Sequence, residues 1–186
     1  MNLQELLEVI QVQRHDFLNH LQVISGLLQL NKPERLKEYI DHITEEMKPL
    51  SAITRLKVPE IKAVILIALK EAKKHQIDFK FNINTTLEDC SLDGRVMGQG
   101  IEVCFRNIWQ YLTLPEVTNR LVVLGVAEHE RSVCVIFSLP GLTKAQINNL
   151  QLDLLESLAE FKEQARLTID NHEEFCLCFP MGYNSK

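Results

Sequence analysis

Eight positions at alternating spacings of four and three set the strongest constraint on this chain: Leu3, Leu7, Ile10, Arg14, Phe17, Leu21, Ile24 and Leu28. On a helix of 3.6 residues per turn such positions fall along one side, so residues 2–30 read as a single long helix with one apolar stripe. Seven of the eight are apolar, and no glycine or proline occurs before Gly26. Asn31-Lys32-Pro33 breaks the pattern, and Pro33 suits the first turn of a new helix. A second stripe follows: Leu36, Ile40, Ile43, Met47 and Leu50. Two helices joined by so short a turn must run antiparallel. One hairpin cannot bury both stripes fully. Pairing with a second copy, giving a four-helix bundle, is the expected remedy, so a homodimer is expected.

Past Leu56 the periodicity changes. Residues 59–75 read as a helix, and Ile77, Phe79, Phe81 and Ile83 alternate with polar residues as a strand wet on one face. Residues 93–112 read as a helix despite Gly94, Gly98 and Gly100. Residues 121–127 and 132–139 read as strands around the polar turn Glu128-His129-Glu130-Arg131, 143–164 as a helix, and 174–180 as a last strand. The order α-β-α-β-β-α-β predicts helices layered on one face of a mixed sheet. The expected organisation is therefore α+β: a helical hairpin at 1–56 and an α/β domain at 57–186.

Several function classes are disfavoured by composition. A net charge of -5 does not suit a nucleic-acid surface, which needs a basic face. No apolar run approaches the length that spans a bilayer. The segment MNLQELLEVI lacks the basic start of a signal peptide, so neither membrane nor export is expected, and a cytoplasmic location is the default. Cys90, Cys104, Cys134, Cys176 and Cys178 lack metal-type spacing, and Cys176 and Cys178 should face one side of a strand. Buried, reduced thiols are expected.

The stretch Arg14-His15-Asp16-Phe17-Leu18-Asn19-His20-Leu21 carries the chemistry. His15 follows a stripe position, so it projects from the flank of the helix. An imidazole there is a nucleophile able to attack a phosphoryl group and release it. Asn19 lies at i+4 on the same face and can reach a phosphoryl oxygen or a water. Asp16 is placed to orient the imidazole, although an i,i+1 side chain does not face its neighbour directly. Arg14 interrupts the stripe with a charge suited to holding phosphate, or to pairing across the dimer. His20 falls on another flank and reads as a solvated or interhelical polar residue. His42, His75, His129 and His172 are assigned no role.

Residues 14–30, RHDFLNHLQVISGLLQL, resemble the phosphoacceptor helix of the sporulation-type phosphotransferases and of the related citrate/malate class of sensor histidine kinases. That resemblance implies a hairpin followed by an α/β domain of the GHKL ATPase type. It matches His15 to the phosphorylated histidine, Asp16 to the adjacent acid and Asn19 to the amide one turn on, with Arg14 beside them. In the kinases, an asparagine helps hold Mg²⁺ and an Asp-x-Gly-x-Gly turn reads adenine. The nearest counterparts here are residues 97–104, where Val103 takes the place of the asparagine, and residues 137–142, where Phe137 replaces the aspartate and Leu139 a glycine. Between Gly141 and Gly182 there is no glycine to form a phosphate cover. The resemblance thus implies a degenerate, histidine-kinase-like domain that binds no ATP.

The leading expectation is a phosphorelay phosphotransferase in control of sporulation initiation. It would move phosphoryl between the aspartates of response-regulator receiver domains through His15. No cofactor would be bound by this chain, and Mg²⁺ would come from the regulator. Two alternatives stand: an atypical sensor kinase or regulator phosphatase in which Asn19 positions water, and a non-enzymatic dimeric module that binds a regulator.

Overall fold

The structure, a computed structural model, describes residues 3–87, 93–129, 132–170 and 174–180. The chain divides into two compact units, Met1–Thr54 and Arg55–Lys186.

The first unit holds α1 (Leu3–Gln29) and most of α2 (Pro33–Arg55). Asn31 ends α1 by taking the left-handed conformation, φ 51°. The Asn31 amide then donates to the Leu28 carbonyl (3.0 Å) and the Lys32 amide to the Leu27 carbonyl (3.1 Å). These bonds satisfy carbonyls that the helix end would leave bare, and asparagine tolerates this conformation better than most residues. Pro33 opens α2, with Glu34 in its first turn and Arg55 in its last, both favourably placed in the helix dipole.

The two helices meet where His20 Nδ1 lies 3.0 Å from the Tyr39 hydroxyl, with Ile24, Leu27, Leu36 and Ile43 half-buried. His20 is thus an interhelical polar residue. The stripe read from the sequence is not the main hairpin contact. Leu7, Ile10, Phe17, Leu21 and Leu28 stay exposed, as do Ile40 and Met47 on α2. Only Ile24 of the described α1 stripe positions is half-buried. A single neighbour occupies one side of a helix, and α2 takes the side centred on residues 20, 24 and 27.

The second unit is a five-stranded sheet ordered β1-β2-β3-β5-β4. The strands are β1 (Asp78–Ile83), β2 (Leu121–His129), β3 (Ser132–Ser138), β4 (Arg166–Asp170) and β5 (Glu174–Pro180), with helices α3 (Pro59–Lys74), α4 (Gly94–Leu112) and α5 (Lys144–Ser157). Only β1 and β2 pair in parallel; the other pairs are antiparallel. Helix α4 packs on the sheet through rings: Phe105 lies edge-on to Phe137 at 5.3 Å, and Trp109 meets Phe79 at 6.0 Å. Phe137 stacks on Phe175 at 4.9 Å.

The glycines of α4 have a packing reason. A Cβ at Gly100 would press on Leu177 and Phe179 at 3.2 Å, and one at Gly98 would meet the Glu60 side chain at 3.2 Å. Their absence lets the helix approach both β5 and α3. Asp93 caps α4 by accepting from the Arg95 amide. Thr143 and Gln146 form a reciprocal cap on α5.

Four expectations need correction. Strand β4 was absent from the expected order: its five residues follow a charged stretch and, among the described residues, have only β5 as neighbour. The helix expected over 143–164 is α5 ending at Ser157, then a short 3-10 turn at Ala159–Phe161. Strand β2 runs on through Glu128 and His129, because both residues pair with β3. Glu130 and Arg131, the remainder of that expected turn, lie outside the described residues. Finally, Cys134 and Cys178 form a disulfide rather than remaining reduced. They are directly opposed in the β3–β5 register, with Cα atoms 4.2 Å apart, a pairing that local sequence does not reveal. Cys104 is a buried thiol and Cys176 a half-buried one. Cys90, His172 and Gly182 lie outside the described residues.

Candidate phosphoacceptor site

His15 sits in the middle of α1, where no backbone group is free, so its chemistry rests on side chains alone. Its side chain is 75% exposed, which leaves one edge of the ring open to a partner. One turn on, the Asn19 amide nitrogen lies 3.1 Å from His15 Nδ1, as the i+4 spacing requires. Asp16 Oδ1 is 3.9 Å from the same nitrogen. That is beyond hydrogen-bond length but close enough for its charge to act on an imidazolium. Arg14 is exposed beside them and takes no part in the His15–Asn19 contact.

The geometry engages Nδ1 and leaves Nε2 at the open edge. With the amide nitrogen toward the ring, Nδ1 accepts and the ring proton resides on Nε2. A half-turn of the amide exchanges donor for acceptor. Asn19 Oδ1 then accepts a hydrogen bond from Nδ1–H, and Nε2 carries the free lone pair. The amide can therefore accompany the ring through both tautomers, which a carboxylate at this position could not do.

The positions aligned by resemblance with a nucleotide site are differently furnished. Phe137 and Leu139 are fully buried, and Phe137 is fixed between Phe105 and Phe175. Val103, half-buried on α4, offers a carbonyl that accepts from Asn107 Nδ2 at 2.9 Å, but no side-chain oxygen. Gly141 is required for close approach: a Cβ there would collide with the Asn119 carbonyl. A different grouping escaped the sequence reading. Cys134, Cys176 and Cys178 bring their sulfurs together on β3 and β5. Cys-x-Cys at 176–178 was the only local sign of it.

Comparison with known proteins bears on the helical segment first. Residues 1–56 match the alpha-helical domain of the SpoOB-type sensor kinases. Over 133 residues the chain is 24% identical to sporulation initiation phosphotransferase B of Bacillus subtilis (strain 168), covering 72% of this chain and 68% of that protein. Among solved structures, the histidine kinase AdeS of Acinetobacter baumannii superposes with a TM-score of 0.48 at 13% identity, covering 91% of this chain and 98% of that one. The catalytic domain of histidine kinase ThkA gives 0.46 at 16% identity, covering 66% of this chain and 90% of that one. Residues 1–56 are thus similar to the alpha-helical domain of the SpoOB-type sensor kinases, and 72% of the chain is similar to a sporulation phosphotransferase.

Proposed function

We propose that this chain is a histidine phosphotransferase of a two-component phosphorelay, with His15 as the phosphoryl carrier. The observation that carries this reading is the exposed His15 with its Nδ1 engaged by Asn19. It lies inside the segment that matches the SpoOB-type helical domain, and the curated relative is itself named a phosphotransferase.

In the proposed reaction Nε2 attacks the phosphorus of an aspartyl-phosphate on one response regulator. The N–P bond forms, the P–O bond to the aspartate breaks, and the carboxylate leaves with the electron pair. The ring keeps its proton on Nδ1, held by Asn19 Oδ1, and becomes a phosphoimidazolium beside the Asp16 charge. That positive ring is a good leaving group, so an aspartate of a second regulator can take the phosphoryl in a step of the same kind. The work left to this chain is positioning and charge stabilisation. Arg14, exposed one residue before His15, would meet phosphoryl oxygens.

Two copies would pair through the exposed stripe of α1 and α2 to form a four-helix bundle, the docking surface for the receiver domains. The proposal assigns no nucleotide to the second unit. Val103, Phe137 and Leu139 supply neither a metal-binding oxygen nor an adenine-reading acid, so no step is routed through ATP. Mg²⁺ would arrive with the regulator's own acidic pocket. A role in sporulation initiation and a cytoplasmic location complete the proposal.

The test is transfer of radiolabel from a phosphorylated regulator. The expected result is acid-labile label on this chain that His15→Gln abolishes. Release of inorganic phosphate that persists in His15→Gln would favour the phosphatase reading. Binding of the regulator with neither label nor release would leave a docking module.

A further inference from the structure

The sheet carries a second cluster of reactive side chains that phosphotransfer does not use. Along β5, Phe175, Leu177 and Phe179 are buried, and Gly100 of α4 packs against the latter two. Strict alternation therefore turns Cys176 and Cys178 to the opposite face. Cys134 on β3 faces the same way, opposed to Cys178 in the register. The sulfurs of Cys134, Cys176 and Cys178 all lie within 4.8 Å of one another, and those of Cys176 and Cys178 are 3.2 Å apart.

We propose that, once the Cys134–Cys178 disulfide is reduced, Cys134, Cys176 and Cys178 bind one thiophilic d¹⁰ cation, Zn²⁺. Three thiolates about 2.3 Å from a tetrahedral centre stand about 3.8 Å from one another. The observed sulfur spacing needs only side-chain adjustment to reach that arrangement. Cys176 and Cys178 are half-buried, which leaves the fourth position to water.

The surroundings suit a thiolate site. The Ser132 hydroxyl is 3.7 Å from Cys134 Sγ and can donate to a thiolate. Arg166 is opposite Cys178 in the β4–β5 register, so it stands on the same face of the sheet as a centre whose three thiolates outweigh Zn²⁺ by one negative charge. Ala127, opposite Cys134 on β2, presents only a methyl group.

The chemistry balances in two steps. A dithiol reductant gives two electrons and two protons to the disulfide and becomes a disulfide itself, leaving Cys134, Cys176 and Cys178 as three thiols. Zn²⁺ then forms three S–Zn bonds, and three protons pass to solvent. Affinity should therefore fall as pH is lowered, because protons compete for the sulfurs. Oxidation closes the site by joining two of its three ligands, so occupancy reports the thiol–disulfide state of the surroundings.

The experiment uses the full chain, reduced by a dithiol under argon and freed of it. Titration with Zn²⁺ against a chromophoric chelator should give one equivalent per chain, and the oxidised chain should give none. Cys134→Ser, Cys176→Ser and Cys178→Ser should each lose that equivalent, while Cys104→Ser retains it. In case a variant misfolds, Co²⁺ is added to the reduced wild-type chain. Sulfur-to-cobalt charge-transfer absorption is expected, growing to one equivalent and bleached by Zn²⁺. Absence of that absorption, Zn²⁺ uptake that survives all three serine variants, or uptake of Cu⁺ with refusal of Zn²⁺ would each overturn the assignment.

Discussion

Replacing Phe17 by alanine should loosen the proposed dimer without unfolding the chain. Phe17 belongs to the α1 stripe and is 54% exposed in a single chain, so pairing can bury only about half of it anew. Truncating a fully buried phenylalanine costs about 3–5 kcal/mol. Half of that is roughly 2 kcal/mol per copy. A two-fold dimer contains the residue twice, so the loss is about 4 kcal/mol, close to a thousandfold in dissociation constant at ~1.4 kcal/mol per decade. Sedimentation equilibrium across nanomolar to micromolar concentrations measures the shift directly. Leu152→Ala is the control: it is 64% exposed on α5 and should leave the dimer untouched. A wild-type chain that sediments as a monomer at micromolar concentration, or a Phe17→Ala chain that dimerises as tightly as wild type, would refute the reasoning.

Other outcomes follow from the site and the core. His15→Gln should retain the helical circular dichroism of wild type, because a side chain 75% exposed leaves no cavity, yet carry no label from a phosphorylated regulator. Asn19→Ala should slow single-turnover transfer about tenfold, the loss of one hydrogen bond worth ~1–1.5 kcal/mol in holding the reactive tautomer; an unchanged rate would remove Asn19 from the mechanism. Mg-ATP at millimolar concentration should shift neither the melting temperature nor label His15, and a saturable shift with transfer from γ-labelled ATP would promote the kinase alternative. Phe137→Ala should cost about 3–5 kcal/mol, near 10 °C in melting temperature, since Phe137 is fully buried between Phe105 and Phe175.

The two long helices, their break at Asn31, and the i+4 placement of Asn19 relative to His15 are written locally. Periodicity and turn chemistry act over a few residues, and no distant contact is needed to read them. The same holds for α3, α4 and the alternating strands. Tertiary structure decided what depends on neighbours far along the chain. It set the face of α1 that meets α2, through His20 and Tyr39, and left Phe17 and Leu21 of the apolar stripe exposed. It supplied β4, a five-residue strand held by its pairing with β5. It explained Gly98 and Gly100 by the approach of Glu60 and of Leu177 and Phe179. It also turned cysteines 44 positions apart into a bonded pair with a third sulfur alongside. Sequence fixes the period of an element because that period is a property of the backbone; which residues meet across elements is fixed only when the sheet has chosen its register.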